Sequence, residues 1–395
     1  MITNRFVASV LMMFAFSACA NLVNDQSLAI SQSTLKDQDP NAILFLKGEE
    51  QVAAFRNSSV LAPTRLIAAA GSPLALPDAA TKLPTVSIPH RGRELSLDEY
   101  LTEYRVGGLI AVKNGEVVLE RYGLGNSAES KWISFSVAKS VVSMLIGAAI
   151  KDGYITSLDQ KVTDYLPQLK GSGYEQATIR NLLQMASGVD WNEDYADPSS
   201  DVAGANYETL ALYEHLKQKR VVAPPGELFN YNTAETNLAG TLLRSAIGNN
   251  LSTYLQQKIW QPFGMESDAY WQLTEEAGGE FGGCCINATL RDYARLGLFA
   301  LAEGKLSDGT PVLPERWMAE SITSSKAFEG YGYFWWLEGD GSYQASGIFG
   351  QGIYINPATS TVIAVHSAWR EADNEQNWEL LTQMFKAIDD RMAID

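Results

Sequence analysis

The chain has 395 residues, 46% of them hydrophobic and 19% charged, a composition that suits a globular protein of enzyme size with room for two lobes around a cleft. Its formal net charge of −16 argues against binding nucleic acid or an anionic membrane through charge, and it identifies no substrate.

The first twenty residues read as a secretory leader rather than as part of the fold. Arg5 supplies a positive start, Phe6 to Phe16 form an apolar run too short to span a bilayer, and small residues follow at Ser17-Ala18-Cys19-Ala20. Ala18-Cys19-Ala20 fits an A-x-A cleavage site, whereas Phe16-Ser17-Ala18-Cys19 resembles a bacterial lipobox despite its unusual Phe16. A soluble periplasmic protein and one anchored through a lipid on Cys19 both remain open, and either is exported. Residues 21–39 are polar and read as a tether. Residues 40–90 carry Pro63, Pro73, Pro77, Pro84 and Pro89 and read as an extended arm on the body, so that 21–88 precedes a main domain over 89–395. Regular structure is expected from about Leu97.

Leu109–Val112 and Val117–Glu120 flank Asn114-Gly115, a strong hairpin signal. Strands are also expected at Tyr331–Leu337, Ser342–Ser346, Gly352–Asn356 and Thr361–His366, with a last helix over Glu375–Met392. Helices and loops dominate between these groups, and Thr289-Leu290-Arg291-Asp292 reads as a capping box opening a helix to Ala302. The predicted fold is therefore α+β. An antiparallel sheet from both chain ends (about 89–135 and 303–395) packs against a helical lobe (about 136–302), with a cleft between them.

Ser136-Val137-Ala138-Lys139 stands at the mouth of the helix with the chemistry. From Val137 to Ile150 only Lys139, Ser140 and Ser143 are polar, which predicts a helix buried nearly all round. Positions i and i+3 share a face, so Lys139 lies beside Ser136 at the end that carries free N–H groups. This placement suits an activated serine nucleophile. A second copy, Ser33-Thr34-Leu35-Lys36, lies in the tether with no apolar helix behind it and reads as chance. Tyr231 follows the Pro225-Gly226 turn and precedes a helical stretch over Ala234–Ala246. A phenol held there could face the serine, and a neighbouring cation could lower its pKa enough for proton transfer.

Cys284 and Cys285 are adjacent and cannot staple distant segments, so they read as two small buried hydrophobes. His90, His215 and His366 are the only histidines and form no ligand spacing, so no metal or other cofactor is expected. The chain has no Gly-x-Ser-x-Gly elbow.

Ser136-x-x-Lys139, Tyr231-x-Thr233 and the run Thr178 to Gly188 (TIRNLLQMASG) together resemble the β-lactamase-like serine hydrolases, from about Pro89 to the C-terminus. This superfamily includes class C β-lactamases, D,D-peptidases, related esterases and 6-aminohexanoate-dimer hydrolases. Ser187-Gly188-Val189-Asp190-Trp191, Gly282-Gly283-Cys284 and Gly347-Ile348-Phe349-Gly350-Gln351 are most similar to the dimer-hydrolase and esterase branch. The resemblance implies an oxyanion hole from the Ser136 and Ile348 amides. The strand that would carry Lys-Thr-Gly or His-Thr-Gly reads Ala345-Ser346-Gly347, without the lysine that helps hold a substrate carboxylate. Thr233, which could donate a hydrogen bond to Lys139 or to substrate, Gly347, Trp191 and Tyr195 are the substrate-binding candidates, with core packing as the alternative for the two aromatics.

The reading is an exported serine hydrolase that cleaves a small-molecule ester or amide through acyl-Ser136, with Lys139 and Tyr231 as the acid–base pair. A β-lactamase or D,D-peptidase acting on cell-wall-like substrates is one alternative. A catalytically idle member that binds a ligand is the other. Nothing in the sequence speaks to oligomeric state.

Overall fold

The computed structural model of the chain describes residues 40–393. The leader, Cys19 and the Ser33–Lys36 motif therefore lie outside the described residues. Among the described residues twelve strands run in chain order: β1 (Thr64–Ile67), β2 (Ser87–His90), β3 (Arg93–Ser96), β4 (Val106–Lys113), β5 (Glu116–Tyr122), β6 (Lys131–Ile133), β7 (Ala269–Gln272), β8 (Ile286–Thr289), β9 (Trp336–Leu337), β10 (Tyr343–Gly347), β11 (Gln351–Asn356) and β12 (Thr361–Ser367).

The central sheet has the order β5-β4-β12-β11-β10-β9 and is antiparallel throughout, so both chain ends build it as expected. Its first hairpin turns at Asn114 (φ 51°) and Gly115 (φ 84°), the left-handed pair that a two-residue turn requires. The sheet is covered on both faces. The Leu290–Leu301 helix, capped by Thr289 through Asp292, packs on β4, β11 and β12. The final helix, Glu375–Ala393, stacks Phe385 on Tyr354 and accepts the Tyr354 hydroxyl at Asp389.

Three features differ from the sequence reading. Regular structure begins well before Leu97, because helix Gly48–Arg56 and β1 belong to the body. Phe55 packs edge-on against Trp132 and Phe135 and at a tilt against Phe349, while β1 pairs with β7 in a second sheet of order β1-β7-β8-β6. Prolines around these short elements hid their periodicity. The strand expected over Tyr331–Leu337 shrinks to Trp336–Leu337. Its first half is held by the helical lobe instead: Phe334 adopts φ 60°, its amide donates to the Leu183 carbonyl and its carbonyl accepts from Ser140. Finally, Cys284 and Cys285 are joined by a disulfide, rather than being two free buried side chains. The bond links sequence neighbours and so ties no distant segments together.

The run Thr178–Gly188 is a scaffold. Thr178 and Asn181 form a reciprocal cap on helix Ile179–Leu183, and Ser187 donates its hydroxyl to the buried Glu235. Phe55 also backs Phe135, the residue before Ser136. Phe55→Ala should cost about 3–5 kcal/mol of stability, the usual range for emptying an aromatic core position. Urea denaturation measures this, and a loss below about 1 kcal/mol would mean the arm is not part of the core.

Candidate active site

Ser136 follows β6 through Phe135, which is held at φ 43° between the rings of Phe55 and Phe349. A bulky residue in the left-handed region is strained, and here it turns the chain sharply into the Val137–Lys151 helix. Residues Val137 to Ala149 of that helix are all buried, in agreement with its apolar sequence. Ser136 occupies the N-cap position but makes no side-chain cap bond, which leaves its hydroxyl available. Gly347 packs against this corner. A Cβ there would stand 2.4 Å from the Ser134 carbonyl oxygen and 3.0 Å from the Ser136 nitrogen, so only glycine lets β10 approach so closely.

Lys139 is 1% exposed. Its ammonium donates to Ser136 Oγ at 3.1 Å, Thr233 Oγ1 at 2.9 Å and the Gly283 carbonyl at 2.9 Å. Burial lowers its pKa from the ordinary lysine value to about 8, while the Glu193 carboxylate pulls the other way. Tyr231 closes the group, with Lys139 Nζ 5.2 Å from its ring centre and its ring stacked on Trp336. Here the sequence expectation of a lowered phenol pKa is overturned. Burial raises the Tyr231 pKa, Glu193 raises it further, and a hydrogen bond with Ser136 only partly offsets them. Desolvation of the buried phenolate is the largest effect, and it prevails despite the neighbouring cation.

The other candidates separate. Tyr195, Thr233 and Ile348 line the same pocket as Ser136. No hydrogen bond from the Ser136 or Ile348 amide occurs among the described residues, so both donors are free for an oxyanion. Thr233 does not donate to Lys139: it accepts from Lys139 and gives its own proton to Glu193. Trp191 is not in that pocket wall. Its indole N–H donates to Glu193 and its ring meets His215 edge-on. Gly347 stands behind Ser136 rather than in the wall.

The rest of the wall is mainly apolar, with Phe135, Tyr207, Phe281, Cys284 and Cys285, and the N-terminal arm adds Ile43 and Leu44. No lysine or arginine lines it. Among the described residues no group of three or more histidine, cysteine or acidic side chains could hold a metal. His366 is a core residue, stacked on Trp132, and burial lowers its pKa to about 3.

Sequence reasoning missed Glu193. It accepts the Trp191 indole N–H, the Tyr195 hydroxyl at 2.5 Å, the Thr233 amide at 3.0 Å and the Thr233 hydroxyl. In sequence it is one acid in the polar stretch Asn192 to Asp197, where carboxylates are normally solvated. No local signal separates it from Asp194.

Comparison with known proteins follows the same lines. A match to the Beta-lactamase family spans residues 96–383. A 6-aminohexanoate-dimer hydrolase of Paenarthrobacter ureafaciens is 28% identical, over 85% of this chain and 91% of that protein. Among solved structures, one from Bacillus anthracis, provisionally assigned as a 6-aminohexanoate-dimer hydrolase, superposes with a TM-score of 0.79 at 23% identity, covering 88% of this chain and 96% of the other. A family VIII carboxylesterase has a TM-score of 0.56 at 16% identity, covering 73% of this chain and 95% of the other.

If neutral Lys139 is the base, the rate of Ser136 modification should follow its deprotonation. With a pKa of about 8 the neutral fraction rises roughly tenfold from pH 7 to pH 9 and then levels off. A stopped-flow pH profile measures this. A flat profile over that interval would exclude Lys139 as the titrating base.

Proposed function

The chain belongs to the beta-lactamase family, and on that footing we propose that it is an exported hydrolase that cleaves ester or amide bonds through an acyl-enzyme on Ser136. One observation carries the reading: a fully buried lysine, with its pKa lowered to about 8, lies 3.1 Å from a serine hydroxyl that has no capping duty. Neutral Lys139 takes the Ser136 proton as Oγ attacks the substrate carbonyl. The amides of Ser136 and Ile348 receive the charge that develops on the carbonyl oxygen. Tyr231, kept as a phenol by burial, passes a proton to the leaving group and recovers one from the water that releases the acyl group. Lys139 and Tyr231 act as one unit on a shared proton.

The wall supports a substrate class. An apolar pocket without lysine or arginine, and with Glu193 behind it, suits a neutral, short acyl group better than an anionic β-lactam. Ala345, at the position aligned with the missing lysine, is fully buried in β10 and offers no cation. The relative named as a 6-aminohexanoate-dimer hydrolase supports including amides. The leader over residues 1–20 supports export.

Ser136→Ala should abolish hydrolysis of p-nitrophenyl butyrate and labelling by a fluorophosphonate, with the melting transition retained. A Ser136→Ala protein that is still labelled would sink the assignment. Tyr231→Phe should slow turnover about 100- to 10,000-fold, and the Lys139→Ala, Tyr231→Phe double variant should be little worse than either alone. Wild-type protein should hydrolyse p-nitrophenyl butyrate with a higher kcat/KM than nitrocefin. The reverse order would refute the substrate argument without touching Ser136.

A further inference from the structure

We infer that Glu193 is a positioning residue which, acting through the Thr233 hydroxyl, turns the lone pair of neutral Lys139 toward Ser136. The inference rests on the acyl-Ser136 reading above. An ionised carboxylate can only accept hydrogen bonds, so the hydroxyl that Thr233 presents to Glu193 must donate its single proton there. On the side facing Lys139, 2.9 Å away, Thr233 Oγ1 can then only accept. The Gly283 carbonyl, also 2.9 Å from Nζ, accepts by its nature.

A neutral lysine amine has two N–H bonds and one lone pair on three tetrahedral positions, and it has three polar neighbours here. Two of them, Thr233 Oγ1 and the Gly283 carbonyl, are obligate acceptors and take the two N–H bonds. The lone pair is left for the third, Ser136 Oγ at 3.1 Å. That orientation is the one in which Lys139 can remove the serine proton. Burial alone would produce a neutral amine without aiming it.

The groups around Lys139 fit this account. Tyr231 presents the face of its ring at 5.2 Å, and Glu193 is the charged group acting on the lysine among the described residues. Glu193 is itself fixed by the Trp191 indole, the Tyr195 hydroxyl at 2.5 Å and the Thr233 amide at 3.0 Å. These three further donors set the carboxylate in place.

Replacing Glu193 by glutamine separates charge from aim. Loss of the negative charge makes Lys139 easier to deprotonate, which by itself would raise the rate near neutrality. The glutamine amide can instead donate to Thr233 Oγ1, freeing the threonine proton to capture the Lys139 lone pair. Ser136 would then face an N–H bond, and raising the pH would not restore its base.

The test is the rate of Ser136 phosphonylation by a fluorophosphonate, followed by intact-protein mass between about pH 6 and pH 10. For Glu193→Gln the alkaline plateau should fall about 100-fold or more while the midpoint moves to lower pH. In a Thr233→Val background, Glu193→Gln should cost little further, because the two act in series. A Glu193→Gln plateau within about twofold of wild type would overturn the inference, whether or not the midpoint moves. If Glu193→Gln does not fold, Thr233→Ser, which keeps the hydroxyl, should react about tenfold or more faster than Thr233→Val at the plateau. Equal plateaus for those two would overturn it as well. Wild-type protein unlabelled at Ser136 at every pH would instead refute the acyl-enzyme reading on which the inference stands.

Discussion

Everything at the site depends on holding one ammonium group out of water. A buried lysine is costly unless it is given partners or allowed to lose its charge, and here both occur. The three acceptors come from three places: Ser136 on the lysine's own helix, Thr233 at the start of Thr233–Ile247, and Gly283 in the loop before β8. No one of these segments makes the site alone. The base exists only when these three segments are packed together, and the surrounding core is what lowers the Lys139 pKa.

The same packing shapes the cleft. Phe135 takes a left-handed conformation because aromatic rings from the N-terminal arm and from the loop after β10 clamp it, and that bend presents Ser136 at the helix mouth. The glycine loop before β8 has two roles: Gly283 supplies an acceptor to Lys139, while the linked Cys284 and Cys285 form part of the apolar wall. The arm closes the other side with Ile43 and Leu44. A wall assembled from so many separated segments can change its substrate without disturbing the serine and lysine.

How much of this was legible in the sequence depended on whether the signal was local. The Asn114-Gly115 hairpin, the Thr289 cap and the apolar Val137–Ile150 run are short-range patterns with one physical interpretation, and all three are found in the fold. The proximity of Ser136 and Lys139 follows from helical spacing alone, whereas the turn before Tyr231 marks that tyrosine as a candidate that only the fold brings to the lysine. The helix at Gly48–Arg56 and strand β1 were missed because both are short, lie among prolines and are stabilised by tertiary contacts. For Trp191 the sequence leaves pocket wall and core packing both open, and the fold selects the core, with the indole N–H donated to Glu193. Glu193 itself was invisible. Its importance comes from a hydroxyl 40 residues away that it meets only in the folded chain.

The central claim is that burial makes Lys139 a base near neutral pH. It can be measured directly by NMR titration of side-chain-labelled lysines, with the Lys139 resonance assigned by its absence in Lys139→Met. The account predicts a Lys139 resonance that titrates at about 8, well below the ordinary lysine value of about 10.4. A Lys139 resonance that titrates near that ordinary value would contradict it.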